Sequence, residues 1–263
     1  MFNLAFGIEY DGSNYYGWES QIRIYSIKNI LEYAISKIAN HKVKIFCAGR
    51  TDSGVHAYNQ VINFKTISKR KKKSWIRGVN SFLPKDISVI WVQNVLNEFH
   101  ARYSAISRTY RYIIYNNTIR SSILKNRVNN IFFKLDVEKM NQSSQILIGE
   151  HDFSSFRAAR CQSYSSFRKI IHINVYRKKK YFIIIDITAN AFLYRMVRNI
   201  VGALIEIGRG RKSKSWLLYI LNIKNRKLSA PTVLAQGLYL LSISYPKHFN
   251  IFNQNMNYFF SFL

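Results

Sequence analysis

A single carboxylate lies in an unusual setting in the stretch AGRTDSGVHA, residues 48–57. Asp52 follows Arg50 by two residues, between Gly49 and Gly54, in a chain with 40 Lys and Arg but only 13 Asp and Glu. The glycines allow tight turns, so we expect Asp52 at the apex of a loop. A nearby arginine favours the ionised carboxylate and can hold a phosphate. The stretch predicts a reactive loop; the alternative is an Asx-turn in which Asp52 only accepts backbone hydrogen bonds.

Four further side chains are candidates for binding or catalysis. His56 lies four residues after Asp52, which permits a catalytic pair or a substrate contact, although a histidine satisfied by its own loop is the simpler interpretation. Arg102, in FHARYSA, can contact RNA or close an ion pair. Arg198 and Arg195 share one face of a predicted helix, and for Arg195 the alternative is a solvated basic surface.

The charge of the chain indicates a polyanionic partner. The net charge is +27 and the pI about 10.2, which would cause self-repulsion in a compact protein. Nucleic acid is the first candidate and an anionic membrane surface the second. An A/T-rich coding sequence could account for some of the lysines, but it does not account for the scarcity of acids.

Other features exclude several classes of protein. Hydrophobic residues make up 48% of the chain, which is typical of globular proteins. No run approaches the roughly 20 apolar residues of a membrane span. The amino terminus has no basic segment and Glu9 interrupts its apolar stretch, so we expect no signal peptide. The two cysteines, Cys47 and Cys161, form no C-x-x-C pair, so neither a zinc site nor a disulfide framework is expected, and a reducing cytoplasm fits best.

Hydrophobic periodicity predicts the elements that position these residues. The loop of Asp52 lies between two predicted strands, 42–48 and 60–66. Helical spacing predicts a helix over 26–41, with Ser26 as its N-cap, and a long helix over 190–208, with Gly208 just beyond its end. The other predicted elements are strands at 3–10, 87–95, 108–117 and 237–245, helices at 74–84, 136–149 and 213–222, and a hairpin over 169–189 that turns at Arg177–Lys180.

Strands and helices mix without a regular β-α-β alternation. This order predicts an α+β protein with largely antiparallel sheets flanked by helices, in two similar halves. No Pro/Gly linker marks the boundary. We place it so that residues 1–105 form an amino-terminal lobe with the Asp52 loop and residues 106–263 form a carboxy-terminal lobe. The last stretch, 250–263, is expected to cap the core or a partner subunit.

Six segments, in order along nearly the whole chain, resemble the family of tRNA pseudouridine synthase A. They are IEYDGSNYYGWESQ, AGRTDSGVHAYNQV, FHARYSAISRTYRY, GEHDFSSFRA, NAFLYRMVRNIVGAL and APTVLAQGLYL. The resemblance implies two α/β lobes that face each other across a basic cleft. It implies an isomerase that converts uridine to pseudouridine at positions 38, 39 and 40 of the tRNA anticodon stem-loop. It also implies a homodimer, tRNA as the partner, and no metal or organic cofactor.

The resemblance also assigns roles to residues. Asp52 matches the catalytic aspartate, and Tyr110, in RTYRY, matches the tyrosine that packs against the target base. Arg198 matches an active-site arginine paired with the catalytic acid, and Arg50 matches the arginine of the same loop. Arg102 and His56 remain candidates for substrate binding.

The conversion of uridine to pseudouridine requires a carboxylate such as that of Asp52. The N1–C1′ bond breaks, the uracil turns, and C5 joins C1′. Asp52 would act as a nucleophile at C1′ or as a base that helps to eliminate the uracil, and the sequence does not choose between these routes. The target base must leave its stack to be reached.

The sequence departs from the family pattern at two positions, and two other functions are alternatives. Tyr164 stands where the family has an arginine, and Glu19 where it has a glutamine. A non-catalytic RNA-binding protein with the same charge is one alternative function. A metal-dependent nuclease is another, although it would need clustered carboxylates.

Overall fold

The computed structural model describes residues 1–19, 26–159 and 161–252, and these residues form two compact units. The first unit contains Met1–Arg108 and the described residues from Tyr239 onward, and the second contains Thr109–Leu238. The described residues from Tyr239 onward therefore group with the first unit. Residues 253–263, most of the predicted cap, lie outside the described residues.

The sheet of the first unit surrounds one long strand, β3 (His56–Thr66). Next to it lies β1 (Phe2–Tyr10), and β4 (Ile87–Val95) pairs with the far side of β1, both antiparallel. A short strand, β2 (Phe46–Cys47), also pairs antiparallel with β3, and the last strand, β10 (Leu238–Ser244), pairs with it in parallel. Because β3 has neighbours on both sides, almost all of its residues are buried. The loop of Asp52 connects β2 to this buried strand.

Two helices pack in the first unit. The first, α1 (Ile27–Ala39), begins at Ser26, whose hydroxyl accepts a hydrogen bond from a backbone N–H in the first turn, as predicted. The second, α2 (Lys72–Phe82), contributes Trp75, which is 1% exposed and contacts aromatic rings of β1 and β3. These contacts hold α2 against the sheet formed by β1 and β3.

The second unit contains a sheet with the order β5-β9-β8-β7. These strands are β5 (Ser107–Asn116), β9 (Phe182–Ala189), β8 (Phe167–Lys178) and β7 (Gly149–Asp152), and β6 (Asn129–Ile131) pairs with β5 in parallel. The predicted hairpin over 169–189 is confirmed as β8 and β9, which pair antiparallel.

Three helices belong to the second unit. The first, α3 (Val137–Ser144), begins at the N-cap Asp136 and packs on β8 and on α4 (Met196–Gly208). The third, α5 (Lys214–Ile223), begins at the N-cap Ser213. Almost all of α4 is buried, so this helix forms the centre of the unit and carries Arg198 in its first turn.

The prediction for α4 is wrong at both ends. The helix begins at Met196, six residues later than predicted, because Arg195 has φ 61° in the left-handed region, and a helix cannot continue through that conformation. Gly208 is the last helical residue and not a residue beyond the end. A Cβ on Gly208 would lie 2.5 Å from Met140 Sδ, so close packing against α3, and not a helix stop, explains the glycine.

Several other boundaries differ from the predictions. The strand predicted over 42–48 is reduced to Phe46–Cys47, while the strand predicted over 60–66 begins earlier, at His56. The helix predicted over 136–149 ends at Ser144, and the chain enters β7 at Gly149, which has φ 107°.

The fold class is confirmed in its main features, because the described residues form mostly antiparallel sheets flanked by helices. The arrangement of two lobes across a basic cleft, and the boundary at residue 105, stay predictions. Among the described residues, no helix is both long enough and apolar enough to cross a membrane.

Candidate active site

Asp52 lies in a tight turn between β2 and β3. Its carbonyl oxygen accepts a hydrogen bond from the N–H of Val55 at 3.1 Å, which closes a four-residue turn. Gly54, the third residue of this turn, has φ 78°, a conformation that favours glycine. Asp52 itself is half-buried. The turn therefore holds the backbone of the carboxylate in one conformation without removing the side chain from solvent.

A buried glutamine holds the first part of this loop. Gln60 on β3 is 0% exposed, and its side-chain amide makes two hydrogen bonds with the backbone of Gly49. Its Nε2 donates to the Gly49 carbonyl at 2.5 Å, and its Oε1 accepts from the Gly49 N–H at 3.3 Å. Both polar groups of Gly49 are thus satisfied by one buried side chain, which makes the loop rigid at its entrance.

The residues on either side of Asp52 are held by the end of β1 and by the segment that follows it. The hydroxyl of Thr51 lies 2.7 Å from that of Tyr10, and the carbonyl of Thr51 accepts from the N–H of Trp18 at 3.0 Å. The hydroxyl of Ser53 donates to the carbonyl of Tyr15 at 3.1 Å. Both neighbours of Asp52 are therefore anchored.

Gly17 allows this segment to approach the loop. It has φ 95°, and a Cβ at this position would lie 2.9 Å from the carbonyl oxygen of Thr51 and 3.1 Å from the nitrogen of Ser53. A larger residue would push the two backbones apart. The close approach of the two segments therefore depends on glycine.

Arg50 forms an ion pair with Glu19. Its Nε lies 2.7 Å from Glu19 Oε2, and Lys28 Nζ lies 2.7 Å from Glu19 Oε1. Glu19 is one of the two departures noted in the sequence, and here it bridges two cations beside the loop. The side chain of Arg50 is 56% exposed, so a ligand can still reach it. A contact between Arg50 and Asp52 stays a prediction.

His56 lies inside the first unit. It is 2% exposed, its ring stacks on Tyr239 at a centroid distance of 4.6 Å, and its Nδ1 lies 3.0 Å from Asp11 Oδ1. The same nitrogen lies 3.2 Å from the Gly12 amide. One nitrogen cannot donate and accept at once, and the contact with the carboxylate is the stronger because that partner is ionised. These contacts agree with a histidine satisfied by its own surroundings, and a substrate-binding role stays a prediction.

The pKa of Asp11 reflects this environment. Burial opposes ionisation of the carboxyl, but hydrogen bonds from His56 and from Ser13 outweigh it and hold the pKa below its ordinary value. Asp11 therefore stays a carboxylate and fixes the orientation of His56 at the start of β3.

Arg108 ties the segment of Arg102 to the loop of Asp52. Its Nη2 donates to the carbonyl of Ala48 at 2.9 Å and to the carbonyl of Arg102 at 2.7 Å. Ala48 is the first residue of the AGRTD stretch and is 2% exposed. The side chain of Arg102 is exposed, so the contact with RNA that the sequence predicts is sterically open.

Tyr110 lies on β5, within the second unit. It is 8% exposed and meets Phe192 edge to face at a centroid distance of 5.2 Å. The next residue, Arg111, makes two hydrogen bonds of 2.8 Å to the carboxylate of Asp186 on β9. This pair fixes the register of β5 and so the position of the Tyr110 ring.

Arg198 also belongs to the second unit. Its Nε donates to the carbonyl of Val233 at 2.9 Å, within the segment that the sequence APTVLAQG identifies. Gly202 allows that segment to lie against α4, since a Cβ there would lie 2.3 Å from the carbonyl oxygen of Pro231. The backbone segment around Val233 therefore helps to orient the guanidinium.

The residues that hold these groups were not predicted from the sequence. Gln60, Tyr10 and Trp18 hold the loop, and Glu19 pairs with its arginine, although Glu19 was noted only as a departure. One signal was available: the run HAYNQVINF contains four polar residues in a strand with no exposed face. Buried polar side chains need hydrogen-bond partners, and for Gln60 the nearest partner is the loop.

The described residues contain no group of three or more His, Cys, Asp or Glu side chains placed to hold a metal ion. The polar groups described above are arginines, hydroxyls, one imidazole and single carboxylates. Chemically, such an arrangement can bind phosphates and can present Asp52 as a base or nucleophile.

Comparison with known proteins identifies the family. A family model described as "tRNA pseudouridine synthase" matches residues 8–104 and 144–246. A relative named "tRNA pseudouridine synthase A", from Buchnera aphidicola subsp. Acyrthosiphon pisum (strain APS), is 54% identical over 248 residues, which cover 94% of this chain and 93% of the relative. A relative of the same name from Vibrio cholerae serotype O1 (strain ATCC 39541 / Classical Ogawa 395 / O395) is 52% identical, with 94% of each chain covered.

A solved structure entitled "Structure of H/ACA RNP bound to a substrate RNA containing 2'-deoxyuridine" is similar with a TM-score of 0.38 and 12% identity, over 77% of this chain and 44% of that chain. This likeness is too weak to carry the assignment, which rests on the family match and on the two relatives. The chain belongs to the tRNA pseudouridine synthase family.

Proposed function

We propose that this chain converts uridines 38, 39 and 40 of the tRNA anticodon stem-loop to pseudouridine, with Asp52 as the reacting carboxylate. Membership of the family makes the chain an isomerase that acts on uridine in tRNA. The positions within the tRNA and the roles of individual residues are the proposal, and they are supported by the sequence resemblance and by the geometry of each unit.

The observation that carries the proposal is the way the loop is built. Gln60 holds the backbone of Gly49, and the Trp18 N–H holds the carbonyl of Thr51, while the side chains of Thr51 and Ser53 bond to Tyr10 and Tyr15; Asp52 stays half-buried. A reacting group must be held in place before the substrate arrives, and anchors on both of its neighbours achieve this. An Asx-turn alone would not require such support.

The isomerisation conserves every atom. The N1–C1′ bond breaks, the C5–C1′ bond forms, and the proton lost from C5 is balanced by a proton gained at N1. In the proposed mechanism Asp52 either attacks C1′ or removes a proton that allows the uracil to leave, and both routes need the ionised carboxylate. No oxidant, reductant, metal or organic cofactor takes part in this scheme.

Tyr110 is the proposed platform for the detached uracil. Its ring is set by the β5–β9 register and by Phe192, and a small part of it is exposed. A flat ring can stack on the base, and its hydroxyl can assist removal of the C5 proton. The target nucleotide must first be flipped out of the stem, which requires contacts that hold the displaced strand.

Arginines supply the positive charge. Arg198 is the proposed partner of the ionised Asp52, and Arg50 and Arg102 are the proposed ligands of tRNA phosphates. Arg50 is paired with Glu19, so a phosphate would compete with a carboxylate for it. For His56, the proposed contact with substrate would require its buried ring to become accessible.

The proposed partners and location follow from the same reasoning. The net charge of +27 suits a polyanion such as tRNA. A second basic subunit could hold the body of the tRNA while one Asp52 reacts, so we propose a homodimer in the cytoplasm. Light scattering at assay concentration tests the assembly, and a monomer with full activity on tRNA would contradict it.

Mapping of the product tests the function. An unmodified tRNA transcript is incubated with the protein, and pseudouridine is located by chemical modification and primer extension. We expect product at positions 38–40, and none when those uridines are replaced by cytidine. EDTA should leave the yield unchanged. Product at other positions, or none, would contradict the proposal.

A further inference from the structure

A row of aromatic rings lies on the first unit beside the loop of Asp52. The ring of Phe46, on β2, lies 4.8 Å from that of His100, and the ring of His100 lies 4.4 Å from that of Tyr103. The guanidinium carbon of Arg102 lies 5.6 Å from the centre of the Tyr103 ring. Tyr103 is 76% exposed, although its ring lies against both His100 and Arg102.

The row is held by a buried anchor. Asn63 on β3 is 4% exposed; its Oδ1 accepts from the N–H of Ala101 at 2.9 Å, and its Nδ2 donates to Asn3 Oδ1 at 3.1 Å. The hydroxyl of Tyr245 donates to the carbonyl of Ala101 at 2.8 Å. The side chain of Phe99, 2% exposed, is inserted into the core. The segment thus alternates between buried anchors and exposed rings.

The histidine at the centre of the row is oriented from within the segment. Its Nδ1 accepts from the backbone N–H groups of Arg102 and Tyr103 at 3.1 and 3.3 Å. Burial, together with the charge of Arg102, lowers the pKa of His100. The ring is therefore neutral at neutral pH, and Tyr103 rests on an uncharged flat surface.

The row is connected to the catalytic loop through covalent and hydrogen-bonded links. Phe46 is two residues before Ala48, and Arg108 bonds both to the Ala48 carbonyl and to the Arg102 carbonyl. A ligand that rests on Tyr103 would therefore be held in a fixed relation to the AGRTD stretch.

We propose that Tyr103, supported by His100 and Phe46 and flanked by Arg102, is a stacking platform for an unpaired nucleobase of the tRNA. Every nucleobase has a flat face, and exposed aromatic rings beside arginines bind single-stranded RNA by stacking and by phosphate contacts. The net charge of +27 and the exposed Arg102 match a polyanion, not an apolar peptide. The platform rests on the proposed function, and the bound base is a neighbour of the target uridine, not the target itself.

The test is tRNA affinity measured for substitutions of one ring. Removal of a stacking ring costs about 5- to 100-fold in Kd per base, so Tyr103→Leu should weaken binding by that factor and Tyr103→Phe should bind like the wild type. The control is Tyr33→Leu, since Tyr33 is 57% exposed and also carries a cation, Lys37, 5.3 Å from its ring centre. Its Kd should not change.

Salt dependence separates stacking from charge. Tyr103→Leu should leave the slope of log K against log salt unchanged, whereas Arg102→Gln should reduce its magnitude by about 0.7–0.9, the value for one phosphate contact. An unchanged Kd for Tyr103→Leu would overturn the proposal. If that variant kept its Kd but lost self-association in light scattering, the ring would belong to a contact between subunits, and the proposal would be overturned as well. Failure of the proposed function would be seen separately, as wild-type protein that makes no pseudouridine.

Discussion

The two units hold their functional groups in opposite ways. In the first unit, a buried side chain holds the backbone of a loop: the amide of Gln60 bonds both polar groups of Gly49. In the second unit, backbone carbonyls hold side chains: Arg198 Nε donates to Val233, and Arg226 Nη1 donates to Ala230 at 2.8 Å.

This difference determines what a substitution can show. In the first unit the supporting residue is distinct from the reacting residue, so support and chemistry can be removed separately. In the second unit the held side chain is itself the functional candidate, and its backbone acceptor cannot be removed. A neighbouring arginine with the same kind of support is then the best control. The predictions below use these differences, beginning with the largest expected effect.

Apart from Asp52 itself, the largest effect is expected at Arg198. Arg198→Met removes the charge proposed to stabilise the ionised Asp52 and the developing charge of the reaction. Loss of one such group costs about 10²–10³-fold in turnover. The melting temperature should change little, because the side chain of Arg198 is only half-buried. Pseudouridine yield under single-turnover conditions measures the effect.

Arg226→Met is the matched control. Arg226 donates to Ala230, to Thr232 Oγ1 and to the buried Asn199 Oδ1, so its loss should destabilise the fold by about 1–3 kcal/mol. Turnover per folded molecule should stay at the wild-type level. If Arg226→Met lost as much turnover as Arg198→Met, the proposed role of Arg198 would be untenable.

A smaller effect is expected at Gln60. Gln60→Leu leaves the N–H and the carbonyl of Gly49 without their partner, which should cost about 1–3 kcal/mol of stability. The entrance of the loop should also loosen, so we expect turnover to fall by about tenfold in molecules that remain folded, as a misplaced reacting group predicts. Urea unfolding and turnover are measured together.

Asn59→Leu separates the two consequences. Asn59 is the neighbour of Gln60 on β3, 3% exposed, and accepts from Trp91 Nε1 at 3.0 Å. The Asn59→Leu substitution should destabilise the fold to a similar extent without any loss of turnover per folded molecule. Equal losses of turnover in both variants would mean that general destabilisation, and not loop support, explains the result.

The smallest effect is expected at Glu19. Glu19→Gln removes the carboxylate that pairs with Arg50 and Lys28, so tRNA phosphates should bind a few-fold tighter, as expected for an exposed ion pair worth about 0.2–1 kcal/mol. Glu138→Gln, on α3 of the second unit, makes the same change in net charge and should have less effect. Equal gains from both would assign the effect to net charge alone.

Much of the fold could be predicted because periodicity is local. The bounds of β4 match the predicted 87–95, and Ser26 is the N-cap of α1. The start of α4 could not be predicted, because Arg195 adopts a left-handed conformation that its residue type does not favour. The role of Gly208 depends on Met140, which is distant in sequence.

The residues of the candidate site are proposed from the sequence and stay predictions, and their contacts could not be predicted from it. Asp52, Tyr110 and Arg198 were proposed because the sequence motifs that contain them resemble those of the family. The bonds of Gln60 to Gly49 span 11 residues, and the pair of Arg50 with Glu19 depends on how two loops meet. Such contacts arise only when the strands are paired, so they need a structure.

Asp52→Asn tests the central claim most directly. Asparagine keeps the size and most of the turn bonding but lacks the negative charge and lone pairs of a carboxylate. Pseudouridine yield is measured with the variant in excess over tRNA, after its melting temperature and tRNA affinity have been shown to be normal. The account predicts no detectable product, with affinity unchanged or slightly tighter, because a negative charge has been removed beside the RNA. Substantial pseudouridine formation by Asp52→Asn would contradict the assignment of Asp52 as the reacting group.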